Sequence, residues 1–319
     1  LSLHDALPIF GHIGGNSMLY NNALELIGNT PVVRLNNLGC TNGCSNIYVK
    51  LEKVNPAGSI KDRAVYEMLE GLEQRGELKK GDVLVEATSG NTGIALSMIG
   101  KLKGYEVVIV MPETMSVERR DLMKAYGANL VLTDGKAGMA GSIEKANELL
   151  KENPNYKSLK QFENKDNPNA HYKTTAVEIM NDVKDLDIFV CGVGTGGTLV
   201  GTARYLKEQN PNIRVIALEP KKSPAISENK TGPHKIQGIG ANFVPENYDS
   251  SVVDEVILVD DEDAFDTVKL LAAKEGILVG ISSGANIFGA IEMAKKYPDK
   301  KIVTVAPDGV DKYMSMGIF

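Results

Sequence analysis

The sequence predicts an α/β fold of two domains, each with a mostly parallel sheet flanked by helices. From about residue 47 onward, eight short β-branched runs recur, namely NIYVKLE, DVLVEAT, EVVIVM, ANLVLT, DIFVCG, RVIALEP, DEVILVD and KIVTVAP. Each run is almost continuously apolar, which is typical of a strand buried on both faces. The stretches between the runs carry apolar residues at helical spacing, such as Val65, Met68 and Leu72, and each predicts a helix with one buried stripe.

A polar, Pro- and Asn-rich segment at residues 151–173 separates two series of these β/α units and is the predicted domain junction. We place the N-terminal domain at residues 18–165 and the C-terminal domain at residues 166–319. Residues 1–17 share no pattern with the rest of the chain and lack the basic start and cleavage site of a signal peptide, so we expect a non-native leader. Ligands of such sheets bind beyond the carboxyl ends of the strands, which places the expected site between the domains.

The composition excludes several classes of partner. The chain has a net charge of −6 and no Trp, so it has neither a broad basic surface nor a visible stacking platform for nucleic acid. No apolar run reaches the roughly 18 residues that a membrane helix needs. Cys40, Cys44 and Cys191 are too few and too unevenly spaced for a disulfide framework or a zinc site. We expect a soluble, cytoplasmic protein with reduced thiols, no metal site, and no nucleic-acid or membrane partner.

The glycine-rich loop GVGTGG, residues 192–197, follows a predicted strand and precedes a predicted helix. It matches the G-x-G-x-x-G pattern, and Glu219 lies at about the spacing of a ribose-binding acid, as in a dinucleotide site. The hydroxyls of Thr195 and Thr198 instead suit a terminal phosphate at the start of a helix. The loop therefore predicts a phosphate site without deciding which phosphate it binds, and a purely structural glycine turn is the alternative.

Two other loops combine small polar residues with the start of a helix. The loop TSGNT, residues 88–92, offers backbone N–H groups and hydroxyls that suit an anion such as a carboxylate, although the same residues also cap helices. Ser282 and Ser283 open another helix, where capping is the simpler interpretation. Gln161 and His171 carry no signal by themselves, because such residues most often lie on the surface.

Lys61 lies in the segment NPAGSIKDR, where Ser59 and Asp62 form a capping-box-like helix start. The first turn of a helix is unfavourable for a cation because the helix dipole is positive there. This position lowers the pKa of the lysine and favours the neutral amine, which is the form that attacks a carbonyl. A solvent-exposed lysine without a chemical role is the alternative.

Taken together, these segments resemble pyridoxal-phosphate (PLP) enzymes of the tryptophan-synthase β-like fold (fold type II). Within that group the resemblance is to cysteine synthases, also called O-acetylserine sulfhydrylases, and to the related cystathionine β-synthases. It extends from Leu24 to the C-terminus. Seven segments carry it, in the order found in the family: IGNTPVVRL, NPAGSIKDR, TSGNTGIALS, QFENKDNPNAHYKTTAVEI, GVGTGGT, IQGIGANFVP and GISSGA.

The resemblance implies roles for residues at matching positions. Lys61 would form the Schiff base with the cofactor aldehyde and later move the α-proton of the substrate. Asn91 would contact the phenolic oxygen of the cofactor, and Ser282 rather than Ser283 would hydrogen-bond its pyridine nitrogen. The cofactor phosphate would be held by Gly194, Thr195, Gly196, Gly197 and Thr198. The substrate carboxylate would be bound by Thr88, Ser89, Thr92 and Gln161.

The resemblance also implies an activity and partners. The activity is β-replacement, in which O-acetyl-L-serine and sulfide give L-cysteine and acetate. A homodimer is implied, as is a complex with serine acetyltransferase. Three positions depart from the usual cysteine-synthase pattern: TTAVEI, Asn242 in GIGANF, and Asp308 in APDGVDKYMSM, which is more similar to cystathionine β-synthases.

Three alternatives are open, and the first two follow from these departures. One is a cystathionine β-synthase-like enzyme, and another is a cysteine-consuming enzyme that releases sulfide or forms lanthionine. The third and most remote is an NAD-dependent dehydrogenase that uses residues 192–197 and Glu219. A dehydrogenase gives no role to Lys61, Asn91 or Ser282.

Overall fold

The computed structural model describes three stretches of the chain, residues 18–38, 46–88 and 90–319. The leader at residues 1–17, Cys40, Cys44 and Ser89 lie outside these stretches. The strands in the described part are β1 (Val32–Arg34), β2 (Ile47–Leu51), β3 (Val83–Ala87), β4 (Glu106–Pro112), β5 (Asn129–Thr133), β6 (Tyr156–Lys157), β7 (Ile188–Gly192), β8 (Arg214–Pro220), β9 (Glu255–Val259) and β10 (Ile302–Ala306).

The α-helices alternate with these strands. They are α1 (Lys61–Gln74), α2 (Asn91–Leu102), α3 (Val117–Ala125), α4 (Gly138–Glu152), α5 (Asp166–Ala170), α6 (Ala176–Asp182), α7 (Gly197–Gln209), α8 (Ala225–Glu228), α9 (Asp261–Glu275) and α10 (Ile281–Lys296). A π-helical turn, His171–Thr175, joins α5 directly to α6. Short 3-10 turns occur at Ala23–Leu26, Glu52–Val54, Gly135–Ala137, Ser250–Val252 and Asp311–Met316.

The strands form two sheets. The smaller has the order β5-β4-β3-β6 and is parallel throughout, and the larger has the order β1-β2-β10-β7-β8-β9, with β1 as its antiparallel edge. The predicted α/β class with mostly parallel sheets is confirmed, and all eight predicted strands are present. The two strands that the sequence does not predict, β1 and β6, have three and two residues, which is too short for an apolar run to stand out.

Sheet membership does not follow a single cut in the chain. Strands β1 and β2 come early in the sequence, but β2 pairs along its whole length with β10, so both strands belong to the larger sheet. The strands of the smaller sheet, β3 to β6, come between them and β7 in the chain. The division at residue 165 therefore remains a prediction about domains, while the larger sheet joins β1 and β2 to the C-terminal strands.

The helix α10 is central to the larger sheet and is buried along most of its length. It packs against α9 at a distance that only glycine permits, because a Cβ on Gly284 would lie 2.4 Å from the carbonyl oxygen of Ala264. This close packing determines where the first turn of α10, with Ser282 and Ser283, meets the carboxyl ends of the strands.

The start of α1 is tied to the larger sheet by buried charges. The guanidinium of Arg63 contacts Glu52 at 2.5 Å and Glu178 at 2.6 Å, and Lys50 contacts Glu178 at 2.9 Å. Burial alone would raise the pKa of Glu178, but hydrogen bonds and charge attraction from Arg63 and Lys50 outweigh it and lower this pKa to about 2. The network thus joins β2, α1 and α6 through buried ion pairs, and it anchors the first turn of α1, in which Lys61 lies two residues before Arg63.

Replacing Arg63 by Met should remove the cation that these two carboxylates share. We expect a loss of about 3–5 kcal/mol in the free energy of unfolding, because removing one partner leaves a buried charge uncompensated. The control is Arg75, whose side chain is 44% exposed and pairs with Asp166, and Arg75→Met should cost about 0–1 kcal/mol. Urea titrations followed by circular dichroism measure both variants, and equal losses would contradict this account of the network.

Candidate active site

Three loops and the start of one helix meet at a single cavity beyond the carboxyl ends of the larger sheet. Lys61 directly follows the loop before α1, Asn91 directly follows the loop after β3, the loop after β7 forms the glycine turn, and the first turn of α10 contains Ser282. Of the residues predicted to bind the cofactor, those that line this cavity are Lys61, Asn91, Gly194, Thr195, Gly196, Thr198 and Ser282. Gly197 is the first residue of α7 and completes the turn from inside the helix.

Lys61 is the first residue of α1, as the sequence predicts, but the helix start is not a capping box. The N-cap is Ile60, Ser59 accepts a hydrogen bond from the Lys61 backbone N–H at 3.1 Å, and Asp62 accepts one from the backbone N–H of Ala57 at 2.7 Å. The backbone N–H of Ile60 donates to the carbonyl of Pro307 at 2.9 Å. The start of α1 is therefore fastened both to its own loop and to the segment after β10.

The amine of Lys61 has a lowered pKa. Desolvation by burial lowers it from 10.5 to about 8. The direction agrees with the prediction from the sequence, while the physical cause is burial rather than the helix dipole. Cys191 lines the same cavity, and burial raises the pKa of its thiol to about 12, so the thiol stays protonated. The neutral amine is thus accessible near neutral pH in a site that holds no competing thiolate.

The glycine turn before α7 forms an anion-binding concavity. Gly196 has a φ of +85°, and a Cβ on Gly194 would lie 2.3 Å from the carbonyl oxygen of Gly238, so both positions require glycine. The hydroxyl oxygen of Thr195 accepts hydrogen bonds from Asn167 at 2.9 Å and from the Gly197 N–H at 3.2 Å. Its own proton remains to be donated, so the helix start offers both N–H and O–H donors to a phosphate.

Two residues behind this turn are not predicted as part of the site by the sequence. Asn167 contacts Thr195, and Nε2 of His171 lies 3.3 Å from the Thr198 hydroxyl oxygen. The expectation that His171 lies on the surface is wrong, since it is 1% exposed at the π-helical turn between α5 and α6. Burial lowers the pKa of His171 well below its ordinary value, so the ring is neutral. A π-helical turn often marks a functional position, but the sequence carries no signal for one.

The described members of the predicted substrate-carboxylate set, Thr88, Thr92 and Gln161, form a separate group at the edge of the smaller sheet. The hydroxyl of Thr92 donates to Oε1 of Gln161 at 2.7 Å, and Thr88 is buried at the end of β3. The backbone segment that leads to Gln161 is attached to β3 through the buried carboxylate of Glu86, which accepts from the Ser158 hydroxyl at 2.8 Å. In the described part of the chain, Thr88, Thr92 and Gln161 lie beside the cavity of Lys61 without lining it.

The structure separates the two serines of α10. Ser282 lines the cavity, whereas the hydroxyl of Ser283 donates to the backbone carbonyl of Asp308 at 3.3 Å. Asn91 also contacts Asp308, through a 2.9 Å hydrogen bond from Nδ2 to the carboxylate. Ser282 is therefore the serine that a ring in the cavity would meet.

Glu219 does not serve the glycine turn as a ribose-binding acid would. Its buried carboxylate accepts hydrogen bonds from the backbone N–H groups of Ile226 at 2.9 Å and Ser227 at 2.8 Å, at the start of α8. This contact gives Glu219 a structural role and removes the acid that the dinucleotide interpretation requires. Within the described residues, no group of three His, Cys, Asp or Glu side chains could hold a metal ion, and none of the described helices is long and apolar enough to cross a bilayer.

The cavity offers a group for each part of PLP. A buried amine can bind the aldehyde, the donor-rich glycine turn can hold the phosphate, and a neutral hydroxyl can meet the pyridine nitrogen. The turn has no room for a side chain at Gly194 or Gly196, so its backbone can approach a bulky anion closely. The residues present therefore fit the cofactor that the sequence resemblance implies.

Comparison with known proteins agrees with this geometry. The profile of the family described as pyridoxal-phosphate dependent enzyme matches residues 23–308. A cysteine synthase B from Campylobacter jejuni is 48% identical over 296 residues, which span 92% of this chain and 97% of that protein. The crystal structure of a cysteine synthase (OASS) from Entamoeba histolytica has a TM-score of 0.92 at 41% identity and covers 97% of this chain and 94% of that chain.

A second solved structure is similar to this chain, but the name of that protein states a different activity. A hydrogen sulfide-producing enzyme from Fusobacterium nucleatum has a TM-score of 0.87 at 47% identity and covers 93% of this chain and 100% of that chain. The family, the fold and the cofactor inferred from the seven sequence segments are thereby confirmed. The chain belongs to the pyridoxal-phosphate dependent enzymes, has the fold of their cysteine-synthase branch, and uses PLP as its cofactor.

Proposed function

We propose that the protein is a cysteine synthase, which replaces the acetoxy group of O-acetyl-L-serine with sulfide and releases L-cysteine and acetate. The observation that carries the proposal is the buried Lys61 amine, with its pKa of about 8, in one cavity with the glycine turn and Ser282. The similarity to proteins named cysteine synthase over more than nine tenths of the chain supports it.

When bound, PLP supplies an electron sink that weakens the bonds at the α-carbon of an amino acid. Lys61 would hold the cofactor aldehyde through Nζ, and its neutral amine would then accept the α-proton of the substrate. Its lowered pKa places a sizeable fraction of neutral amine near neutral pH, which both tasks need. The Arg63 network keeps this amine in place from outside the cavity.

The remaining residues predicted to contact the cofactor would bind it and orient its ring. Gly194, Gly196 and Gly197 would form the turn around the phosphate, with the N–H groups of Gly194 and Gly196 and the hydroxyls of Thr195 and Thr198 as donors. Ser282 would donate a hydrogen bond to the pyridine nitrogen, or accept one from it, without adding a charge. A carboxylate there would stabilise a pyridinium and a stronger electron sink, so the serine suits a reaction whose leaving group departs soon after the α-proton.

The substrate carboxylate binds at the edge of the smaller sheet. In this proposal Thr88, Ser89, Thr92 and Gln161 hold it, and the smaller sheet closes over it. The bond between Thr92 and Gln161 supports the proposal, because it brings together residues 69 apart in the chain. The backbone N–H groups at the start of α2 and the NH₂ group of Gln161 are donors that suit a carboxylate.

The second candidate function is a cysteine-consuming reaction that releases sulfide. The similarity to a hydrogen sulfide-producing enzyme, at 47% identity, is the observation that favours it. Asp308 and Asn242, which depart from the usual cysteine-synthase pattern, leave a cystathionine β-synthase-like preference as the third candidate. All three share the same cofactor chemistry at Lys61 and differ in leaving group and nucleophile. A homodimer, a complex with serine acetyltransferase and a cytoplasmic location complete the proposal, and they rest on the sequence resemblance alone.

Reduction with borohydride should fix the cofactor on the peptide that contains Lys61. Lys61→Ala should abolish this labelling and lower turnover by about 10²–10⁴-fold or more, because the residue that moves the proton is lost. Lys80→Ala removes an exposed lysine and should leave labelling and turnover unchanged. Peptide mapping by mass spectrometry reads out the result, and a label on any other lysine would overturn the assignment.

The two serines of α10 form a matched pair of variants. Ser282→Ala should change the visible absorption of the bound cofactor and lower turnover by about tenfold, because one hydrogen bond to the ring is lost. Ser283→Ala removes a hydrogen bond to a backbone carbonyl and should leave the absorption unchanged. Spectra and initial rates of both purified variants test this. A larger spectral change for Ser283→Ala would reverse the assignment.

Initial rates with three substrate mixtures distinguish the candidate functions. O-acetylserine with sulfide should be turned over faster than serine with homocysteine and faster than cysteine alone, at equal concentrations and with products identified by mass spectrometry. Faster turnover of cysteine alone would make sulfide release the function. Faster turnover of serine with homocysteine would make cystathionine formation the function.

A further inference from the structure

A buried pair of opposite charges lies behind Asn91. Asp308 follows β10 and is 0% exposed, and Lys312 lies one turn later and is 5% exposed. The carboxylate oxygen Oδ2 of Asp308 accepts a hydrogen bond from Nδ2 of Asn91 at 2.9 Å, and Nζ of Lys312 lies 3.6 Å from the same oxygen. Nζ of Lys312 also donates to Oδ1 of Asn91. Both ends of the Asn91 amide are thus held by side chains more than 200 residues away in the chain.

These contacts leave the Asn91 amide one orientation. A carboxylate can only accept a hydrogen bond and an ammonium can only donate one. If the amide were flipped, its NH₂ group would face the ammonium of Lys312 and its carbonyl would face the carboxylate of Asp308, so both contacts would become repulsive. In the observed orientation Asp308 uses one of the two N–H groups of Asn91. The second N–H is not used by either charge, and Asn91 lines the cofactor cavity.

The position of Asp308 is itself restricted from several sides. Its backbone pairs with Ser59 in an isolated β-bridge, and its carbonyl accepts from the backbone N–H of Gly280 at 3.2 Å. A Cβ on Gly280 would lie 1.9 Å from Oδ1 of Asp308, so the carboxylate packs directly on that glycine. The Tyr313 hydroxyl donates to Oδ2 at 2.5 Å. Asp308 therefore cannot move without displacing the loops that carry Lys61 and Ser282.

A pair of this kind is not explained by stability alone. Removing two charges from water is costly, and a buried ion pair often contributes less than apolar side chains of the same volume. Burial lowers the pKa of Lys312, although the charge of Asp308 opposes the shift. Burial, together with the charge of Asp308, raises the pKa of Tyr313 well above its ordinary value. Burying this pair costs free energy, and its structural effect is to fix the orientation of the Asn91 amide.

We propose that Asp308 and Lys312 are positioning residues that act through Asn91 and aim one of its N–H groups at the ring of the cofactor. Neither Asp308 nor Lys312 is among the residues that line the cofactor cavity, whereas Asn91 is. This inference rests on the proposed contact between Asn91 and the phenolic oxygen of PLP. It goes beyond that contact, because it assigns to two charged residues the orientation on which the contact depends.

The test combines isosteric variants with removal of Asn91. Asp308→Asn and Lys312→Met each delete one charge, and both are made in the parent and in an Asn91→Ala background. The holoenzymes are compared by the visible absorption of the bound cofactor and by the rate of cofactor release after dilution. In the parent background, each variant should shift the absorption maximum and should speed cofactor release by about tenfold. Lys312→Met deletes a charge-assisted hydrogen bond to Asn91, and Asp308→Asn removes the charge from the acceptor of the other. In the Asn91→Ala background, neither should cause a further change.

Two further variants serve as controls. Lys312→Arg keeps a cation that can donate to Oδ1 of Asn91 and should retain the parent absorption. If Asp308→Asn does not fold, the comparison of Lys312→Arg with Lys312→Met tests the proposal instead. Lys295→Met removes an exposed lysine that pairs with Glu292 at 3.0 Å and should change neither signal. Thermal unfolding of each variant measures the contribution to stability separately.

Three results would overturn the inference. The first is an equal change in absorption and release in the presence and absence of Asn91, which would mean that the pair acts elsewhere. The second is a loss of thermal stability with unchanged cofactor signals, which would make the pair structural. The third is an Asn91→Ala variant with unchanged absorption and release, which would remove the contact itself. None of these would affect the proposed β-replacement, which is decided by the products formed from the three substrate mixtures.

Discussion

The chemistry of this protein depends on the burial of one amine. An exposed lysine is protonated at neutral pH and can neither attack an aldehyde nor accept a proton. Desolvation lowers the pKa of Lys61 to about 8, and desolvation requires that the start of α1 be pressed against the larger sheet. Arg63, two residues further along the helix, supplies that attachment through its buried contacts with Glu52 and Glu178. The reactivity of the amine is therefore a consequence of how the helix is docked.

The parallel sheets determine what surrounds the amine. Because the carboxyl ends of parallel strands lie at one edge of a sheet, the loops after β7 and β10 meet at the same place, and α10 begins there. The phosphate turn needs glycine at Gly194 and Gly196 for steric and conformational reasons. Asp308 fills the space between the loop of Asn91 and the start of α10. Asp308 thus connects three of the segments that carry the site, because its carboxylate binds Asn91, its backbone carbonyl accepts from Ser283, and its backbone pairs with Ser59.

The sequence predicts the parts of this structure whose signals are local. The eight longer strands are recognisable as apolar runs, and the glycine turn and the position of Lys61 follow from short-range patterns. Contacts that join distant residues leave no such pattern. The bond from Asn91 to Asp308 spans 217 positions, and the burial of His171 depends on a π-helical turn that composition does not reveal. The cause of the lysine pKa shift is hidden from the sequence for the same reason, since burial is a property of the fold.

A crystal structure of the holoenzyme, grown from the yellow protein without added substrate, tests the central claim most directly. The account predicts continuous electron density from Nζ of Lys61 to the cofactor, with the phosphate at residues 194–198 and the phenolic oxygen within about 3 Å of Nδ2 of Asn91. The amide of Asn91 should keep its contacts with Asp308 and Lys312. Density for the cofactor joined to another lysine, or a phosphate bound away from the glycine turn, would contradict the account.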